Sequence, residues 1–459
     1  MRILEGGMQA WSAAGDMVVA GSNVPSKLFG EEIQEAHRVP HVDVQTLWQW
    51  QRDGIDHLVC DIRSPEEYRR SRIPGARGAF GTDLALLAPQ LRREQRPIVV
   101  HCSGRTRSII ACQTLRLLGV PEVYALENGT MGWRLAGHAL ERGEGAGALA
   151  VDPAAQQVDA TDAVALAQQA GAHLISAEQL TDWNRDRLAG RGNLVMIDVR
   201  QLPEYLEAHL PGAIAVPGGL AIQRADEFAP VRAARIVFID NGEARSALAA
   251  YWYRKMGFTN VNLLKGGLDG WQAAGGAVES GRGRERPLGL TEAARLVRLI
   301  APAELASQLS PGSAGMQVIN VDTSAEAMQA RLPQSEWIRY GELEDRVATM
   351  PQAQRARLVL SCRNGDLSTL AAANLARAGW PDVPVLAGGV AAWRAAGLPV
   401  EQGAAGELAN AADLVVQPYD AGLQEMQRYL EWEQQLIGQL RRQAANDCGK
   451  LQQRATQGE

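Results

Sequence analysis

The sequence predicts an α/β protein of three tandem domains, each a small, mostly parallel sheet flanked by helices, with a partial repeat in front and a helical tail behind. Two observations carry this expectation. The segment Leu4–Gly15 recurs as Leu126–Gly137, Leu264–Gly275 and Leu386–Gly397, so that Trp11, Trp133, Trp271 and Trp393 stand 122, 138 and 122 residues apart. That period is the size of a domain and far too long for a solenoid repeat. Each full period also holds a short apolar run, a small-residue loop and then apolar residues at helical spacing, the strand–loop–helix unit of parallel sheets. With 459 residues, of which 46% are hydrophobic and 21% charged, the chain has material for several cores.

In chain order, residues 1–35 read as the closing strand–turn–helix of a repeat plus a linker. The body of that repeat is missing, which points to a longer four-repeat chain, since a fragment of this size buries no core alone. The first domain spans 40–143, opens with a helix at Val44–Trp50 and passes through a strand at Cys60. Gly143-Glu144-Gly145-Ala146-Gly147 starts a linker that grades into an alanine-rich helix at 160–170. The second domain spans 174–281, the Gly281–Arg284 stretch begins another linker, and the third domain spans 300–403. In the tail, 413–459, Leu423, Met426, Tyr429-Leu430, Leu436-Ile437 and Leu440 recur at helical spacing. They predict a long amphipathic helix that packs across domains or joins two copies in a homodimer.

Composition narrows the function. The formal charge is −6 and no long basic block occurs, which argues against a nucleic-acid surface. Five scattered cysteines, Cys60, Cys102, Cys112, Cys362 and Cys448, form neither a disulfide nor a metal framework and fit a reducing compartment. Apolar runs are too short for a membrane span and no secretory signal opens the chain, so the expectation is a cytoplasmic protein acting on small molecules.

The chemistry concentrates between Arg96 and Gly119. Ile98-Val99-Val100 reads as a buried strand, and Ile109-Ile110, Leu115 and Leu117-Leu118 as a helix ended by Gly119. Between them Cys102, Ser103, Gly104, Arg105, Thr106 and Arg107 form one tight loop, with Ser108 in the first helical turn. A cysteine at the end of a strand, before a helix N-terminus, faces converging N–H groups and the positive end of the dipole, which favours a thiolate. Arg105 and Arg107 add positive charge for an anionic substrate. The loop recurs in phase: Asp240 to Arg245 and Ser246 follow Ile236–Ile239, and Cys362 to Ser368 follow Leu358–Leu360. Asp240 removes the nucleophile, so the second domain is expected to be an inactive scaffold that keeps Arg245. Cys362 keeps the loop length, but Leu367 stands at the place of Arg107 and Asp366 adds a negative charge. Asp61, Arg63 and Glu67 read as a polar network ordering the loop, Cys60 and Cys112 as core, with a resolving thiol the lesser alternative. His101 reads as a strand-end residue, and Cys448 as an exposed thiol near Lys450.

Taken together, Asp61-Ile62-Arg63, Glu67-Tyr68, Ile73-Pro74-Gly75-Ala76, the Cys102 loop and Glu127-Asn128-Gly129 to Trp133 resemble the rhodanese (sulfurtransferase) family, in particular its tandem, four-repeat bacterial forms. The resemblance implies that Cys102 takes a sulfur from thiosulfate or a similar donor as a persulfide and passes it to cyanide or a thiol, with Cys362 a possible second centre and no metal or organic cofactor. Two alternatives stand beside it. His101-Cys102 with Arg107-Ser108 is similar to the loop of cysteine-dependent protein phosphatases, but that signature has five residues between cysteine and arginine where this chain has four, Ser103 to Thr106. The other is a non-catalytic sulfur carrier or scaffold.

Overall fold

The computed structural model describes residues 4–16, 18, 19, 21–151, 160–281, 287, 289–309, 315–411, 413 and 416–457, the side chains of 160, 440 and 442–457 excepted. It divides into two compact units, residues 1–283 with 418–459, and residues 284–417. The first unit holds two five-stranded sheets and the second holds one.

In the first sheet, β1 (His41–Val42), β2 (Leu58–Asp61), β3 (Arg77–Gly78), β4 (Ile98–His101) and β5 (Val123–Leu126) lie in the order 1-5-4-2-3, all parallel. The second sheet repeats this with β6 (His173–Ile175), β7 (Leu194–Asp198), β8 (Ile214–Ala215), β9 (Arg235–Ile239) and β10 (Val261–Leu264), and the third with β11 (Leu299–Ile300), β12 (Gln317–Asn320), β13 (Glu336–Trp337), β14 (Leu358–Ser361) and β15 (Val385–Leu386). Helices cover both faces, so the central strands are buried along their whole length and read in sequence as unbroken apolar runs. The register Leu58↔Ile98 to Asp61↔His101 sets the Asp61 and Cys102 motifs side by side at the carboxyl edge. No described helix is long and apolar enough to cross a membrane.

The recurring tryptophan segment has a structural task. In each sheet the indole N–H closes on a carbonyl six residues on: Trp133 on Ala139 at 2.9 Å, Trp271 on Ala277 at 2.8 Å and Trp393 on Pro399 at 2.7 Å. The glycine four residues before it in the motif meets the strand-end loop directly. A Cβ on Gly129, Gly267 or Gly389 would stand 2.2, 2.3 or 2.1 Å from the carbonyl oxygen of Cys102, Asp240 or Cys362, and all three glycines have φ between 52° and 59°. Only glycine fits there. The next amide then donates to that same carbonyl, from Thr130 to Cys102 at 2.9 Å, Leu268 to Asp240 at 2.7 Å and Val390 to Cys362 at 2.9 Å.

Three features go beyond the sequence reading. Residues 24–37, read as a linker, form a helix, Val24–His37, that packs on the helix Thr106–Leu117. The approach is close because Gly30 faces Thr106, where a Cβ would meet Thr106 atoms at 2.9 to 3.3 Å. The two sheets of the first unit are joined by a buried hydrogen bond from Trp252 Nε1 to Thr114 Oγ1 at 2.9 Å. The tail forms the expected helix, Leu423–Gln457, and its packing role is met inside the chain: Met426 and Leu430 cluster with Met131, and Leu436 and Ile437 are buried too. The helix Gly7–Ala13 buries none of its residues. Cys448 and Lys450 lie outside the described side chains.

Candidate active site

Cys102 sits just past the end of β4, as the residue pattern predicts, and the loop turns into the helix at Thr106, so that Thr106 and Arg107, read as loop, belong to the first helical turn. Its side chain is 2% exposed. Below it lies the apolar core, and around it Ser103, Thr106, Arg107 and Ser108 are buried polar neighbours. The Cys102 thiol lies 3.6 Å from Ser108 Oγ, and that hydroxyl donates to the Arg105 carbonyl at 2.8 Å.

The two equivalent loops show what this geometry offers an anion. At Cys362 the sulfur accepts the Gly365 amide at 3.2 Å, the Ser368 amide at 3.3 Å and the Ser368 hydroxyl at 3.3 Å. At Asp240 a carboxylate fills the same place, with Oδ2 accepting the Arg245 amide at 2.8 Å and the Ser246 amide at 3.2 Å. The ring of amides expected around Cys102 is thus seen around Cys362 and Asp240, whereas the thiol of Cys102 turns to a hydroxyl. Burial pushes the Cys362 thiol up, and the Ser368 hydroxyl and amide pull it back only in part. Asp240 is likewise raised by burial, against the pull of Arg245.

Both loop arginines are engaged by carboxylates, which the sequence reading did not foresee. Arg107 makes a two-pronged pair with Glu67, 2.8 Å on each prong, and Arg105 makes one with Glu31 at 2.7 and 2.9 Å. Burial opposes the Glu67 charge, but the Arg107 guanidinium overrides it and holds the carboxyl at about 2. The pair recurs as Arg245 with Glu204, 2.8 Å on each prong, and there Asp83, from the short turn Gly81–Asp83 of the first domain, also reaches Arg245 at 3.2 Å. In the third repeat, where Leu367 replaces the arginine, Glu326 pairs instead with the exposed Arg363 at 3.0 Å. Glu67 also closes a capping box with Ser64, so one carboxylate ties the helix Pro65–Arg70 to the loop.

Asp61 and Arg63 form the expected network: Arg63 Nε and Nη2 bond Asp61 at 2.9 and 2.7 Å, both residues buried. His101 is fully buried, which lowers its pKa and keeps the ring neutral, with Nε2 3.7 Å from Asp61. Cys60 and Cys112 are core residues pushed up to about 12 by burial, which leaves them inert as thiolates. A cavity of about 150 Å³ opens beside the loop, lined by Gln34, His41, Arg105, Ser108, Glu127 and Asn128 among others.

Glu31 and Glu433, which reach the loop from outside the first sheet, were missed by sequence reasoning. A signal existed for Glu433: it falls at a core position of the tail stripe Met426, Leu430, Glu433, Ile437, where a buried acid is out of place.

Comparison with known proteins agrees with this architecture. The rhodanese-like domain model matches residues 43–136, 180–274 and 301–396. A crystal structure of a thiosulfate sulfurtransferase from Pseudomonas aeruginosa is 31% identical and covers 96% of this chain, which in turn covers 82% of that one, with a TM-score of 0.80. A sulfurtransferase of Allochromatium vinosum is 29% identical over 107 residues, 23% of this chain and 99% of the relative. The chain spans 35% of the length of the first curated relatives it matches, two Mycobacterium tuberculosis proteins 31% identical over 99 residues. Three parallel sheets of one topology, each closing its tryptophan segment onto a strand-end loop, and three family matches in the same phase make the chain a tandem member of the rhodanese-like family of sulfurtransferases.

Proposed function

We propose that the chain transfers sulfane sulfur from thiosulfate or a similar donor to a thiophilic acceptor, with Cys102 as the carrier in the domain at 40–143 and Cys362 as a second carrier in the domain at 300–403. The observation that carries this reading is the repeated cradle: one loop geometry places two amides on a negatively charged or sulfur side chain, at Asp240 and again at Cys362. Such donors stabilise a persulfide anion without rearrangement. The Cys102 thiolate attacks the outer sulfur of thiosulfate, the sulfur–sulfur bond of the donor breaks, and sulfite leaves with the electron pair. The resulting Cys102 persulfide is then attacked at its outer sulfur by cyanide or a thiolate, and Cys102 leaves as the thiolate. Two displacements through one covalent intermediate give ping-pong kinetics.

The domain at 174–281 serves as a scaffold in this reading. Its cradle is filled by the Asp240 carboxyl group, so it carries no sulfur nucleophile to attack a donor. Arg105 and Arg107 act chiefly through the carboxylates they hold, shaping the loop, and the cavity beside Ser108 gives a donor its approach. Intact-mass measurement after thiosulfate treatment tests the reading on the parent, Cys102→Ser and Cys362→Ser. The expected result is a gain of one sulfur atom at each cysteine, lost one at a time in the variants and removed by cyanide. Hydrolysis of aryl phosphates with no such gain would replace this reading with the phosphatase one, and a stable gain that cyanide does not discharge would leave a carrier without turnover.

A further inference from the structure

The tail helix roofs the Cys102 loop, and one polar side chain in that roof is only half satisfied. Glu433 is 1% exposed. Its Oε1 accepts the Thr106 hydroxyl at 2.6 Å. Its Oε2 is buried without a hydrogen-bond partner and stands over Gly104, 3.4 Å from where a Cβ on that glycine would be. Leu430 and Met131 border the same spot, at 3.6 and 2.9 Å from that Cβ position, so the surroundings of Gly104 on this side are apolar apart from this oxygen. A buried carboxyl oxygen without a partner carries a desolvation cost that a hydrogen-bonding substrate would relieve. An apolar residue would have served the packing better at this point of the stripe.

We propose that Glu433 is the general base for thiol acceptors in the second half of the Cys102 reaction. The inference rests on the reading of Cys102 as the persulfide carrier. A thiol acceptor R–SH enters as a weak nucleophile and must lose its proton to attack. Glu433 Oε2 takes that proton, and R–S⁻ attacks the outer sulfur of the Cys102 persulfide. The bond between the two sulfurs of the persulfide breaks, its electron pair stays with Cys102 as the thiolate, and R–S–S⁻ leaves. The proton on Glu433 passes to the departing product or to water, which restores the base.

The surroundings suit that task. Lys27 and Glu31 face Glu433 from the helix Val24–His37, Arg105 and Thr106 face it from the loop, and Tyr429 lies one turn back on its own helix. Burial raises the Glu433 pKa, against the pull of Thr106, Lys27 and Arg105, which moves a carboxylate towards the strength a base needs near neutrality. Tyr429, raised first by burial, is raised further by the charges of Glu433 and Cys102.

The test uses the full chain in a Cys362→Ser background, loaded at Cys102 with thiosulfate, freed of donor and then mixed with either 2-mercaptoethanol or sulfite while intact mass follows loss of the sulfur. Sulfite at about pH 8 attacks as an anion and needs no base, whereas the alkyl thiol is still mostly protonated. For Glu433→Gln, which keeps an oxygen for Thr106, discharge to the thiol is expected to fall about 100-fold relative to discharge to sulfite. That deficit should shrink as pH rises towards the thiol's own pKa, and Glu433→Asp should recover part of the rate. A thiol-to-sulfite ratio equal to the parent's, an equal slowing with both acceptors at every pH, or an aspartate variant as slow as the glutamine one would overturn the inference. Failure of the parent itself to take up sulfur at Cys102 would instead bring down the carrier reading, and the inference with it.

Discussion

Replacing Glu67 by glutamine should open the Cys102 loop far more readily than its modest surface position suggests. Glu67 and Arg107 side chains are 18% and 9% exposed, and two hydrogen bonds of 2.8 Å join them. The substitution leaves the guanidinium charge in place without its counter-ion. Breaking a buried pair from one side costs about 3–5 kcal/mol, against roughly 0–1 kcal/mol for an exposed pair. The local opening equilibrium of the helix Thr106–Leu117 should then rise by a factor of about 150 to 5,000, read by hydrogen exchange of its amides. The double variant Glu67→Leu with Arg107→Met should recover most of the loss, because no lone charge remains.

A pH arm checks the same reasoning. An ordinary glutamate titrates near about 4.3, whereas Glu67 in the fold sits at about 2. The folded value is the lower one, so the stabilisation is complete above the ordinary value and is lost as pH falls from there towards 2. Helix protection should fade across that window in the parent and show no such step in Glu67→Gln. A single-substitution cost below about 1 kcal/mol, the size found for exposed pairs, or an equal acid step in both proteins would refute the argument.

Other outcomes follow from the cradles. Asp240→Cys places a thiol where the Arg245 and Ser246 amides already converge, so thiosulfate treatment should add one more sulfur atom than in the parent, read by intact mass. Ser368→Ala removes a hydroxyl 3.3 Å from Cys362 Sγ, and since a hydrogen bond to a charged group contributes about 1.5–3 kcal/mol, alkylation of Cys362 by iodoacetamide near neutral pH should slow about tenfold or more. Thr114→Val leaves the Trp252 indole N–H buried and unpaired, at a cost of about 1–3 kcal/mol; the change should appear as lost exchange protection in both Thr106–Leu117 and Ala244–Lys255.

By itself the sequence determined the repeated architecture and the positions of the three strand-end loops. Period and phase are properties of residue order, so the four tryptophans, the glycine before each of them and the strand-end loops could be aligned without coordinates. Local signals did the same for the Cys102 helix and the tail helix, because their determinants lie within a few residues of each other. What the tertiary structure alone decided is which charges meet. Arg107 finds Glu67 forty residues back, Arg105 finds Glu31 on a helix read as linker, Arg245 finds Asp83 from a turn of the neighbouring domain, and Thr106 finds Glu433 more than three hundred residues on. Electrostatic energy depends on distance and burial rather than on spacing along the chain. A loop that reads as strongly positive in sequence is therefore, once folded, a set of neutralised pairs under an acidic roof.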